Sequence, residues 1–116
     1  MSENKAALKA FKTALSIYKK IGNTIGEANC ISIIGGLLFK TGDYKSAENY
    51  FNKALKLYEN IQDIYSIATT YLNYGRLFKE NKDYKEKGIK FIKKAADIFD
   101  SINIEQMAYL CRRALN

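Results

Sequence analysis

Apolar residues recur at intervals of three and four along nearly the whole chain, as in Phe51, Ala54, Leu55 and Tyr58, the spacing that gathers them on one face of a helix. Short polar or glycine-bearing breaks interrupt this rhythm at Gly22-Asn23, Thr41-Gly42-Asp43, Asn60 to Asp63, Asn81 to Asp83 and Asp100 to Asn103. Six helical segments are expected between them. Asp43 and Asp83 suit N-caps, because a short carboxylate can accept from the free amides of the next turn. Gly42 suits the left-handed residue that closes the preceding helix.

The pattern also repeats at long range. Shifted by 40 residues, Ala7, Phe11, Ala14, Leu15, Tyr18 and Ile21 fall on the identical Ala47, Phe51, Ala54, Leu55, Tyr58 and Ile61. Ala28, Gly35, Leu37, Asp43 and Tyr44 fall in the same way on Ala68, Gly75, Leu77, Asp83 and Tyr84. Beyond Tyr84 the better shift is 41, which indicates one inserted residue near Lys85 to Lys87, and it sets Gly88, Ile92, Ala95, Ile98 and Phe99 against Ala47, Phe51, Ala54, Leu57 and Tyr58. Ala108 and Cys111 return to the first register, on Ala68 and Tyr71. Such a period is the mark of a repeat array in which each unit buries its apolar face against its neighbours.

With two helices per unit, the segment L-F-K-T-G-D-Y-K-S-A-E-N-Y-F-N-K-A-L-K-L-Y at 38–58 resembles a tetratricopeptide repeat, with Gly35, Tyr44, Ala47, Phe51 and Ala54 on that family's small and aromatic positions. The resemblance extends over residues 5–116, in a long form of the repeat. It departs from the family pattern where a tryptophan and a closing proline are usual, with Ile31 or Tyr71 at the first place and Glu59 at the second. It implies an all-α fold, a right-handed superhelical stack of antiparallel helical hairpins. Residues 24–61 and 64–102 would form complete repeats, residues 5–21 the second helix of an incomplete one, and residues 103–116 the first helix of another or a cap. The apolar stripe at 7, 8, 11, 14, 15, 17, 18 and 21 is too wide for a one-sided contact, so a longer array, or an end completed by another chain, is expected.

Composition narrows the function. The 116 residues contain no proline, no histidine and two cysteines. Without histidine the usual nucleophile and imidazole pairing is missing, so no enzyme is expected, and Cys30 and Cys111, far apart in apolar patterns, suggest buried thiols rather than a disulfide or a metal site. Gly35-Gly36 before Lys40-Thr41 has a superficial likeness to a phosphate loop, but Phe39 stands where such a loop needs glycine before lysine. No cofactor is expected. The net charge of +7, from 19 Lys and Arg against 12 Asp and Glu, is spread along the chain and interleaved with acids at 79–94, which suits solvated faces better than a nucleic-acid stripe. No run of about 18 apolar residues exists to span a bilayer, and Met1 to Asn4 do not open a secretion signal, so a cytoplasmic protein is expected.

The resemblance implies that the first helices of successive repeats line a concave groove for a protein or peptide. Its residues here are Asn29, Ser32, Ile33, Gly36 and Lys40, then Thr69, Asn73 and Arg76, then Tyr109, Arg112 and Arg113. Asn73, within L-N-Y-G-R, matches the asparagine that holds an extended peptide backbone in the family, and the arginines could pair with carboxylates. Two other readings stand beside this one: the same residues as merely solvated positions, with Tyr109 and Cys111 packing, and a self-associating array whose incomplete ends pair as a homo-oligomer.

Overall fold

Among the described residues six helices follow one another with short connections: α1 (Ser2–Ile21), α2 (Thr24–Lys40), α3 (Tyr44–Asn60), α4 (Ile64–Lys79), α5 (Lys85–Ser101) and α6 (Glu105–Ala114). The structure is a computed structural model and describes residues 2–116; among these there is no strand. The helices gather into two compact units, α1 to α3, ending at Gln62, and α4 to α6, beginning at Asp63.

The breaks act through specific backbone chemistry. Gly22 and Gly42 adopt φ of 72° and 94°, and Gln62 and Asn103 take the same left-handed region at 56° and 60°. At Gly42 the amide donates to Phe39 O (3.1 Å) and the Asp43 amide to Leu38 O (2.9 Å), closing α2 with its last carbonyls satisfied. Asn23, Asp43 and Asp63 then cap α2, α3 and α4 by accepting from the amides of Gly26 (2.8 Å), Ser46 (3.4 Å) and Ser66 (3.1 Å).

Asp83 does not do the same for α5, contrary to the expectation from the repeat. The N-cap is Tyr84, without a side-chain cap bond. The cause is Asn81, whose Oδ1 accepts from the Asp83 amide (2.9 Å) while its carbonyl accepts from Tyr84 (3.0 Å), so a turn at Asn81 precedes the helix and starts it one residue later. The inserted residue near 85 is absorbed here.

In the N-terminal unit α2 and α3 form a hairpin, and α1 lies along α2. Ala47, Phe51, Ala54, Leu55 and Tyr58 are the buried face of α3. On α1 the identical residues Ala7, Phe11, Ala14, Leu15 and Tyr18 are only half-buried, and none of residues 3–21 is fully buried. Gly26 lets α1 approach α2: a Cβ there would lie 2.4 Å from the Tyr18 ring.

In the C-terminal unit α4 and α5 form the hairpin and α6 packs on α5. The two hairpin helices cross at glycines. A Cβ on Gly75 would fall 2.6 Å from Ile92 Cγ1 and 2.9 Å from Gly88 O, and one on Gly88 would fall 2.6 Å from Gly75 O. Glycine costs about 1 kcal/mol in a helix, and this backbone contact is what it permits. Around the crossing, Ala68, Leu72, Ile92, Ala95, Ala96, Phe99, Ala108 and Cys111 form one buried cluster. The foot of each hairpin is closed by the same kind of ring pair, Phe39 with Tyr44 (4.7 Å between centroids) and Phe78 with Tyr84 (5.2 Å).

Candidate functional site

The buried sides of α2 and α4 face their hairpin partners, which leaves an opposite stripe at spacings of three and four. On α2 this stripe holds Asn29, Ile33 and Lys40, all exposed, with Ser32 and Gly36 half-buried. Asn29 is engaged within the fold: its Oδ1 accepts a hydrogen bond from the Tyr58 hydroxyl of α3. That leaves its amide NH2 as the group available to a ligand.

On α4 the stripe holds half-buried Thr69 and exposed Asn73 and Arg76. The Thr69 hydroxyl donates to Tyr65 O one turn back (2.9 Å), so it serves its own helix. Asn73 and Arg76 share an open hollow of about 430 Å³, completed by Leu77, Lys79, Glu80 and Ala114. Among the described residues the Arg76 guanidinium forms no ion pair. Its charge does reach Cys111: burial pushes that thiol's pKa up, and Arg76 and Arg112 pull in the opposite direction without cancelling the rise.

Lys79 was not foreseen. Its Nζ donates to Ala114 O (2.7 Å), meeting the free carbonyls and negative dipole end of α6. One repeat earlier its place is taken by Phe39, so the periodic pattern held no sign of it. The bond ties the end of α4 to the end of α6 and forms one wall of the hollow.

The α6 residues divide. Arg112 pairs with Asp100 at the end of α5, both side chains being about half exposed (56% and 47%), which directs this guanidinium to a neighbouring helix. An exposed pair of this kind contributes on the order of 0–1 kcal/mol. Arg113 instead lies over Tyr109, 5.9 Å from the ring centroid, with Nη1 donating to the hydroxyl at 3.3 Å. Tyr109 is 58% exposed, so it presents a ring rather than filling a core.

Two larger hollows, about 610 and 570 Å³, are each lined by one helix alone, Lys5 to Ile17 of α1 and Asn49 to Glu59 of α3. They are troughs between side chains on solvent faces and bring no elements together. Among the described residues no group of three or more His, Cys, Asp or Glu could hold a metal ion, and no helix is long and apolar enough to cross a membrane. Cys30 and Cys111 are buried free thiols.

A comparison with curated proteins finds no match. The tetratricopeptide repeat family profile matches residues 1–60 and 31–101, overlapping segments that together take in α1 to α5 up to its final residue. The helical hairpins, the recurring small residues at their crossings and this match agree. Repeats of this kind generally mediate protein–protein interaction and typically serve as non-catalytic scaffolds. The chain belongs to the tetratricopeptide repeat family.

Proposed function

We propose that the chain is a non-catalytic interaction scaffold that holds an extended, carboxylate-bearing peptide segment on the exposed stripe of α4, with α6 of the same unit beside it. In this reading α2–α3 and α4–α5 are the complete repeats, and α1 and α6 are half-repeats.

The observation that carries the proposal is the pairing of Asn73 with Arg76 over one hollow on α4. An exposed amide can both donate to and accept from a peptide backbone, and a guanidinium without an ion pair has donors to offer a carboxylate. Tyr109 and Arg113 supply a ring and a second cation on α6. Arg112 contributes less, since a ligand must first compete with Asp100. On α2, Asn29 and Lys40 form a separate polar patch with Ser32 and Gly36 between them.

The test is affinity capture from the native source with the wild-type chain and with an Asn73→Ala/Arg76→Ala variant. Both positions are exposed, so the variant keeps the fold. Loss of a partner that the wild type retains is the expected result. An unchanged set of partners counts against this surface.

A further inference from the structure

The uncovered side of α1 is a different surface, and it bears its own template. The residues Ala7, Phe11, Ala14, Leu15 and Tyr18 are half-buried, and Ile17 and Ile21 beside them are 54% and 67% exposed. The identical counterparts of the first five on α3, which packs on α2, are 0–8% exposed, while Ile61, the counterpart of Ile21, is 36% exposed. What covers such a face is visible at α5, where Gly88 and Ile92 stand in the places of Ala7 and Phe11 and meet Gly75 of α4 in backbone contact. The shape of the α1 face therefore fits a helix with a small residue at the crossing.

Charge specifies that helix further. Lys5, Lys12 and Lys19, each seven residues apart, run along one edge of the stripe, with Lys9 and Lys20 behind them and only Glu3 opposing. A second copy's α1 would bring the same positive charge, and α6 brings Arg112 and Arg113 against Glu105. Like charges across an interface oppose association, and the whole chain carries +7. We propose that the bare face of α1 is a docking surface for an acidic amphipathic helix of a partner protein, which would stand against α1 as α4 stands against α5.

The probe is a fluorescein-labelled peptide with the α4 sequence Ile64–Lys79 made acidic by Thr69→Glu, Asn73→Glu and Arg76→Glu, which alters only the stripe facing away from the hairpin. A control peptide has lysine at the same three positions. By fluorescence anisotropy with the full chain, the acidic peptide is expected to bind at least about tenfold more tightly than the control. A Lys12→Glu/Lys19→Glu chain, checked for unchanged helicity, is expected to lose about tenfold in affinity, and the wild-type binding is expected to weaken with salt. A Lys90→Glu chain, altered at an exposed site on α5, is expected to bind the acidic peptide as well as wild type. Absence of binding, equal binding of both peptides, indifference to the Lys12→Glu/Lys19→Glu reversal, or an equal loss in the Lys90→Glu chain each overturns the proposal. So does sedimentation of the chain alone as a dimer that Phe11→Asp dissociates, which would assign the face to a second copy.

Discussion

Helices α1 and α3 belong to one compact unit and carry the same five side chains at the same five positions, yet α3 buries them and α1 leaves them half exposed. The apolar pattern cannot account for this, since the two helices share it. Neighbours account for it. α3 lies in a hairpin with α2, whereas α1 meets α2 without a hairpin partner of its own among the described residues. In a repeat array the burial of a residue is set by the next element along, and stability is close to a sum of such nearest-neighbour contacts. α1 therefore keeps the apolar pattern of α3 without its burial.

The sharpest way to break that comparison is to truncate one ring at both sites. Phe51→Ala is expected to cost about 3–5 kcal/mol, as for a fully buried phenylalanine, and Phe11→Ala roughly a third of that, because its ring already touches water. Urea denaturation followed by circular dichroism reads both. Equal losses would show that α1 is covered in solution.

Small residues sharpen it next. Gly75→Ala is expected to destabilise by about 1–3 kcal/mol, since the added methyl meets Ile92 and the Gly88 carbonyl, and this outweighs the gain in helix propensity. Ala7→Leu, on the uncovered side of α1, is expected to stay within about 0.5 kcal/mol of wild type. A tolerated Gly75→Ala would mean that the α4 and α5 backbones stand further apart than described.

Helix starts give a smaller contrast of the same kind. Asp63 accepts from both the amide and the hydroxyl of Ser66, and Asp63→Ala is expected to cost about 0.5–2 kcal/mol. Asp83→Ala, with no helix to cap, is expected to change stability by less than about 0.5 kcal/mol. Thermal melts of the two variants distinguish these values.

The smallest expected effect concerns the buried thiols, one in each unit. Burial raises the pKa of Cys30 and of Cys111, so the folded state keeps their protons longer than the unfolded state does. Their contribution is fully present below the unfolded thiol pKa of about 8.5 and is lost as pH rises through the folded values. Between pH 7 and 10 the denaturation midpoint is expected to fall more steeply for wild type than for a Cys30→Ala/Cys111→Ala variant. Parallel slopes would contradict buried, protonated thiols.

Much of this architecture is legible in the chain itself. The apolar spacing and the 40-residue register locate all six helices, and Gly22 and Gly42 mark two of the left-handed turns. What the periodicity does not encode is set by a local competitor or a tertiary contact. Asn81 captures the Asp83 amide and displaces the start of α5. Lys79 reaches Ala114, 35 residues away, at a place where the preceding repeat has phenylalanine. Tyr58 holds Asn29, and Asp100 holds Arg112, pairings between helices that no periodicity encodes. Asn73 and Arg76 sit one turn apart on a single helix, a relation that the spacing of three states directly.

The central claim is that the exposed stripe of α4 holds a protein ligand, and site-directed photocrosslinking tests it most directly. Asn73→benzoylphenylalanine is compared in the native source with the same photoreactive residue at Lys90, an exposed site on α5. A discrete crosslinked protein from position 73 that is missing from position 90, and that fades when Arg76→Ala is added, is the predicted result. Identical crosslinks from both positions, or none from position 73 while a partner is still captured by the chain, would contradict it.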